Sequence, residues 1–153
     1  MKKLLGFSIF LVLVLIASLT AEAKVTLPAI FSDNMVLQQN TQVNVWGKAA
    51  PGEKVTVKAS WLDKVVTAKA AANGKWTVKL KTPKATTNQS VTVSGENEIT
   101  INNVLIGEVW LCTGQSNMEF PVSRHPDVKW NTGMLNEAEE LKDADYPEIR
   151  LFH

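Results

Sequence analysis

From Lys24 to about Asn103 the apolar residues recur at every second position. Val43 and Val45, then Val55, Val57 and Ala59, then Trp76, Val78 and Leu80, then Val91 and Val93, and finally Ile99 and Ile101 each alternate with polar neighbours. Successive side chains of a strand point to opposite faces, so this is the pattern of half-buried antiparallel strands. Val and Thr supply the branched side chains that suit a pleated surface. Turn residues punctuate the runs. Asn73-Gly74 predicts a type I′ hairpin turn, Pro51-Gly52 predicts a type II turn, and Pro83 and Ser94-Gly95 mark further breaks. Short strands at this spacing predict a small antiparallel β-sandwich over residues 24–103.

The pattern changes at Val104. Val104-Leu105-Ile106 and Val109-Trp110-Leu111-Cys112 form a near-continuous apolar run, interrupted by Gly107-Glu108. A strand buried on both faces reads this way, and such strands belong to α/β sheets. Beyond a Pro-containing stretch through Trp130, Met134, Leu135, Ala138 and Leu141 are spaced as one face of an amphipathic helix, with Glu137, Glu139, Glu140 and Lys142 elsewhere. Tyr146-Pro147 stops the helix, and Ile149 and Leu151 begin another alternating segment. Strand, tight turn, helix and strand open a parallel sheet. The expected fold class is therefore mixed: an antiparallel sandwich followed by the first strand-helix-strand unit of an α/β domain. Residues 104–153 are too few to close such a sheet and cover both its faces.

The N-terminus carries a different signal. Met1-Lys2-Lys3 is a positive start, Leu4 to Thr20 is almost unbroken apolar sequence, and Ala21-Glu22-Ala23 fits the small-x-small cleavage rule. Residues 1–23 are expected to be a secretory signal peptide cut between Ala23 and Lys24, giving a secreted or periplasmic protein with no membrane attachment after cleavage. Of 16 basic and 15 acidic residues, removal of Lys2, Lys3 and Glu22 leaves 14 of each. A balance without basic or acidic blocks argues against nucleic acid and anionic membrane surfaces as partners. The single cysteine, Cys112, excludes an intrachain disulfide and a cysteine-based zinc cluster, and two histidines, His125 and His153, leave little for a metal site. Neither a metal nor any other cofactor is expected. Oligomeric state is not legible.

The chemistry-bearing motif is Gly114-Gln115-Ser116, where the apolar run ends and the chain turns. A strand end projects a serine hydroxyl at the carboxyl edge of a sheet, where ligands bind in open α/β folds. Glycine two residues earlier permits a sharp turn, and the serine's own N–H can face a developing oxyanion. A bare glycine-x-serine is common, and its plain structural alternative is a serine capping the helix that follows.

The wider string narrows the choice. Gly107-Glu108-Val109-Trp110-Leu111-Cys112-Thr113-Gly114-Gln115-Ser116-Asn117-Met118-Glu119 resembles the nucleophile block of the sialate O-acetylesterase family, a branch of the SGNH hydrolases. Upstream, Leu27 to Gln38 resembles that family's N-terminal segment, and Val45-Trp46-Gly47 with Pro51-Gly52-Glu53 resembles its sandwich opening. Downstream, Tyr146 to Phe152 resembles the strand after its first helix. The resemblance thus spans essentially the whole chain after residue 23 and implies a flavodoxin-like SGNH domain in residues 104–153, begun but not completed. It also implies an esterase acting on O-acetylated sialic acid, chiefly at the 9-position, or on another acetylated glycan. Ser116 would be the nucleophile and its backbone N–H an oxyanion donor, with Gly114, Gln115 and Asn117 forming the turn. The family's base is a histidine of a late block, commonly aided by an aspartate, and this sequence ends before such a block. An N-terminal fragment without activity of its own is therefore expected.

The remaining candidates are weaker. His125, nine residues past Ser116, is a poor match to a base that the family places far downstream. Glu119 and Arg124 follow the nucleophile as candidate substrate contacts, Arg124 through the bidentate pairing that guanidinium offers a carboxylate. Cys112 is expected buried and inert, and Trp110 is assigned to the same buried strand. Trp46 and Trp76 are assigned to the core, which leaves Trp61 as the tryptophan to test for sugar stacking. A second functional reading, from another class, is a β-sandwich carbohydrate-binding or interaction module without catalysis.

Overall fold

The computed structural model describes residues 24–124, Asp127 and residues 133–152, apart from the side chain of Glu119. The molecule is mostly strand, with little helix. Its seven strands are β1 (Val36–Gln38), β2 (Gln42–Lys48), β3 (Lys54–Ala59), β4 (Val66–Lys69), β5 (Lys75–Lys81), β6 (Thr86–Ser94) and β7 (Glu98–Gly107). A 3₁₀ turn at Ser116–Glu119 and one short helix, α1 (Glu137–Asp143), follow. The strands form a five-stranded sheet in the order β1-β7-β6-β3-β4 and a two-stranded sheet, β2-β5. All pairings are antiparallel except β1 with β7, which run parallel.

The two sheets share one apolar core. Val45, Trp76, Val78 and Leu80 enter it from the smaller sheet, and Val55, Val57, Ala59, Val91, Val93, Ile101 and Val104 from the larger. Every strand predicted from alternation is present, with its alternating face buried as the period of two requires. Trp46 is the exception. In β2 the inward positions are Val45 and Gly47, so Trp46 faces outward and is 43% exposed. Its assignment to the core is corrected by the same parity that places Val45 inside.

The turns differ in how closely they follow their signals. Pro51-Gly52 makes the expected type II turn, with Gly52 at φ 81° and the Glu53 N–H bonded to the Ala50 carbonyl at 3.0 Å. Asn73-Gly74 does not make a type I′ turn. Only Gly74 takes a positive φ, 75°, within a three-residue loop closed by Ala71 and Lys75. The strands it joins then part, β4 pairing with β3 and β5 with β2.

Two bulges interrupt the β6–β7 ladder, and the one in β7 shifts the alternating phase before Val104. Between Ile101 and Val104 strand β7 carries one residue more than β6 carries between Val91 and Gln89; between Gln89 and Thr86 the surplus is on β6. An asparagine takes the left-handed conformation at each, Asn103 at φ 53° and Asn88 at φ 55°. The extra residue shifts the phase, so Val104 rejoins the core beside Ile101. What the pattern announced as a new buried strand at 104–106 is the end of β7, which continues through position 103 without a break. The short β1, absent from the alternation, is set beside it by side-chain bonds. The Asn102 N–H donates to Asp33 Oδ1 at 2.6 Å, and Asn103 Nδ2 to Asn34 Oδ1 at 2.7 Å.

Past Gly107 the expected strand-helix-strand unit is not formed among the described residues. Val109 to Cys112 is irregular and exposed, α1 is shorter than its apolar spacing predicts and buries no side chain, and residues 149–152 form no strand. Asn136, left-handed at φ 62°, stands where Met134 and Leu135 would otherwise continue into α1. An apolar run becomes a buried strand only where neighbouring strands take up its backbone groups and a second layer covers it, and neither is present here.

Candidate active site

Strand β7 delivers the chain to Glu108, which is held in a clasp. Its two carboxylate oxygens accept from Gln38 Nε2 at 2.9 Å and Gln39 Nε2 at 2.7 Å, and Gln38 Oε1 in turn accepts the Val109 N–H at 2.9 Å. These bonds favour the charged form, so the Gln38 and Gln39 amides hold the Glu108 carboxyl below its ordinary range. The polar pair that interrupts the apolar run is therefore an anchor for the segment leading to the serine. The glutamate's role was missed in the sequence because its partners lie about 70 residues away.

Beyond the clasp the chain runs exposed to Gly114 and winds into the 3₁₀ turn, where the Met118 N–H bonds the Gln115 carbonyl at 2.9 Å. Gly114 leaves room for Met118: a Cβ there would stand 2.8 Å from Met118 Cγ and would have to displace that side chain. Gln115 occupies the capping position without a side-chain capping bond, and Ser116 is the first residue of the turn. The structural alternative for the serine, a helix cap, is thus not what Ser116 does. Its side chain is exposed and makes no hydrogen bond among the described residues, and Gln115 and Asn117 flank it, also exposed. An unengaged hydroxyl on a short turn is accessible to an incoming ester, but it needs a base to become an effective nucleophile.

Arg124 is exposed, and its N–H donates to Glu137 Oε2 at 3.2 Å, which joins the loop to the start of α1. Among the described residues no hydrogen bond brings it together with Ser116. Glu119 belongs to the turn, its side chain outside the described residues, and His125 and His153 lie outside them altogether. Cys112 is exposed rather than buried, and Trp110 is 84% exposed, both because the strand that would have buried them is not formed. Trp61 is half-buried against the core, with its Nε1 donating to the Lys81 carbonyl at 2.9 Å. Among the described residues no cluster of three metal-binding side chains occurs, and no helix is long and apolar enough to cross a membrane.

Among the described residues the tail is hydrogen-bonded back to the sheet through Arg150. Arg150 donates to the Asn103 carbonyl and, at 3.1 Å, to Asn103 Oδ1, so the segment after α1 is tied to the β7 bulge.

Comparison with known proteins places this architecture. No family model matches the chain. Among solved structures it is similar to a carbohydrate acetylesterase from Xanthomonas citri, with a TM-score of 0.62 and 36% identity over 68% of this chain and 24% of that one. The strand-rich fold is therefore one found in a carbohydrate acetylesterase. Among curated proteins it is 32% identical to mouse sialate O-acetylesterase, over 93% of this chain and 27% of the relative. The human sialate O-acetylesterase is 29% identical over 78% of this chain and 23% of its own length. Over most of its length the chain is a homologue of the sialate O-acetylesterases, and it spans about a quarter of the length of the curated relatives it matches.

Proposed function

We propose that the chain is the nucleophile-bearing part of an exported carbohydrate esterase of the sialate O-acetylesterase type, acting on O-acetyl groups of sialic acid, the 9-O-acetyl ester first among them. The observation that carries this reading is Ser116. It lies in the family-like string Gly114-Gln115-Ser116-Asn117-Met118 on a turn that leaves its side chain exposed and without a hydrogen bond among the described residues. The homologues' names supply the substrate class.

In the proposed reaction Ser116 Oγ attacks the acetyl carbonyl carbon while a base takes the hydroxyl proton. Electron density moves to the carbonyl oxygen, and the Ser116 N–H donates to the resulting oxyanion. Collapse expels the sugar hydroxyl, which is protonated as it leaves. Water then attacks the acetyl-serine, releasing acetate and restoring the hydroxyl. Gly114 lets the turn close over Met118, and Glu119 and Arg124 are assigned to substrate contact, Arg124 to the sialic acid carboxylate.

The β-sandwich reading of residues 24–103 and the α/β reading of residues 104–153 belong to this proposal. Leu111, Leu135 and Leu151, all exposed, are side chains that a completed sheet with its helices would bury. Among the described residues no base is held against Ser116, so residues 24–153 alone are expected to show no Ser116-dependent hydrolysis of p-nitrophenyl acetate above background. A chimera in which residues 24–153 replace the matching segment of the Xanthomonas citri enzyme is expected to release acetate from 9-O-acetylated sialic acid. In that chimera Ser116→Ala should lower the rate at least ~10³-fold. A chimera whose rate survives the substitution would show that Ser116 is not the nucleophile.

A further inference from the structure

A cleft of about 650 Å³ opens at the end of the β2–β5 ladder, and no residue of the Gly107–Glu119 block lines it. Trp46, from β2, is 43% exposed and is held by an edge-to-face contact with Phe31, ring centroids 4.6 Å apart and planes at 78°. Trp76, from β5, contributes to the same wall. Its indole is buried, 3% exposed, and its Nε1 is buried without an acceptor among the described residues. Gly47 allows this packing, because a Cβ there would meet the Thr26 carbonyl and the Trp76 ring.

The charged residues that line the cleft are all lysines. Lys48 and Lys75 are direct partners across the ladder, and Lys69 lines the same cleft. Like charges placed opposite each other on two strands repel, and none of the three makes an ion pair with a carboxylate among the described residues. An anion between Lys48 and Lys75 turns that repulsion into two attractions. The partly exposed Trp46 indole lines the same cleft and supplies aromatic surface for the C–H groups of a ring. The volume is that of a site for one or two sugar rings, within the ~300–1,000 Å³ range of small-molecule pockets.

We propose that this cleft binds an acidic saccharide, with a sugar ring against Trp46 and its carboxylate between Lys48 and Lys75. The proposal does not rest on Ser116. It requires an aromatic platform and a cationic pair, and both are built by residues 24–81.

Titration of the purified chain with N-acetylneuraminic acid, glucuronic acid, neutral glucose and sodium sulfate, followed by calorimetry and tryptophan fluorescence, tests it. Saturable binding of a carboxylated sugar is expected, at least ~10-fold tighter than glucose and weakened by salt. Trp46→Ala should weaken it ~10-fold, with Trp46→Phe intermediate, since a smaller ring keeps part of the stacking surface. The double variant Lys48→Gln/Lys75→Gln should bring the acidic sugar to the affinity of the neutral one, and Ser116→Ala should leave binding unchanged. Unchanged circular dichroism shows that each variant folds. Four results would overturn the proposal: no saturable binding, equal affinity for acidic and neutral sugars, sulfate binding as tightly as the sugar acids, or full affinity in Trp46→Ala.

Discussion

In residues 24–107, Leu80, Val57 and Val93 are sealed from solvent, whereas in residues 108–152 Trp110, Leu111, Leu135 and Leu151 stand in water. Both regions are rich in apolar side chains. The first arranges them with a period of two on strands that find neighbours, so each buried face meets another. The second arranges them in runs that, among the described residues, meet no paired strand and no facing layer. The comparison teaches that apolar content alone does not make a core. It makes one where the backbone beneath is already paired and a second layer lies opposite.

The largest expected effect tests that contrast directly. Leu80→Ala removes a fully buried side chain and should cost ~2–5 kcal/mol of stability, while the equivalent change at exposed Leu111 should stay within ~0.5 kcal/mol. Urea denaturation of the two variants reads the difference, and equal losses would mean that the second region has a core of its own. A smaller effect separates two glycines. A Cβ at Gly47 would collide with the Thr26 carbonyl oxygen, whereas one at Gly107 meets nothing within 4 Å. Gly47→Ala should therefore cost ~1–3 kcal/mol and Gly107→Ala less than ~1 kcal/mol. Denaturation midpoints in the reverse order would show that the close approach of the Thr26 backbone, bridged to Lys48, does not constrain Gly47.

The smallest effect lies at the junction between the regions. The Gln38 and Gln39 amides depress the folded-state pKa of Glu108 below the unfolded value, so the clasp's contribution is present above the ordinary glutamate range. It is lost as pH falls through the lowered folded value. Amide-exchange protection at Val109 should accordingly decline on the acid side. In Glu108→Gln it should be lower near neutral pH and no longer follow acid titration, because a neutral amide faces two amide donors with only one acceptor. A wild-type protection factor that is flat through the acid range would sever the clasp from the path to Ser116.

Much of the first region was legible. Val55, Val57 and Ala59, or Trp76, Val78 and Leu80, declare their strands and inner faces together, because alternation is a local consequence of backbone geometry. Pro51-Gly52 declares its turn for the same reason. The bulges at Asn88 and Asn103 were not legible, since an extra residue is defined only against the partner strand. At the candidate site, the Gly114-Gln115-Ser116 turn was visible as a motif. The clasp on Glu108 and the tie from Arg150 to Asn103 join residues far apart in the chain, and no local pattern marks them.

By itself the sequence determined the strand-forming segments, the turn at Pro51-Gly52 and the place of the serine, all properties of a few neighbouring residues. Tertiary structure alone decided that the exposed Trp46 and the buried Trp76 line one cleft. It also decided that Lys48 opposes Lys75, and that the run from Val109 to Cys112 stays exposed. The physical reason is one: backbone preference is set within the chain segment, but burial and charge environment depend on what packs against it.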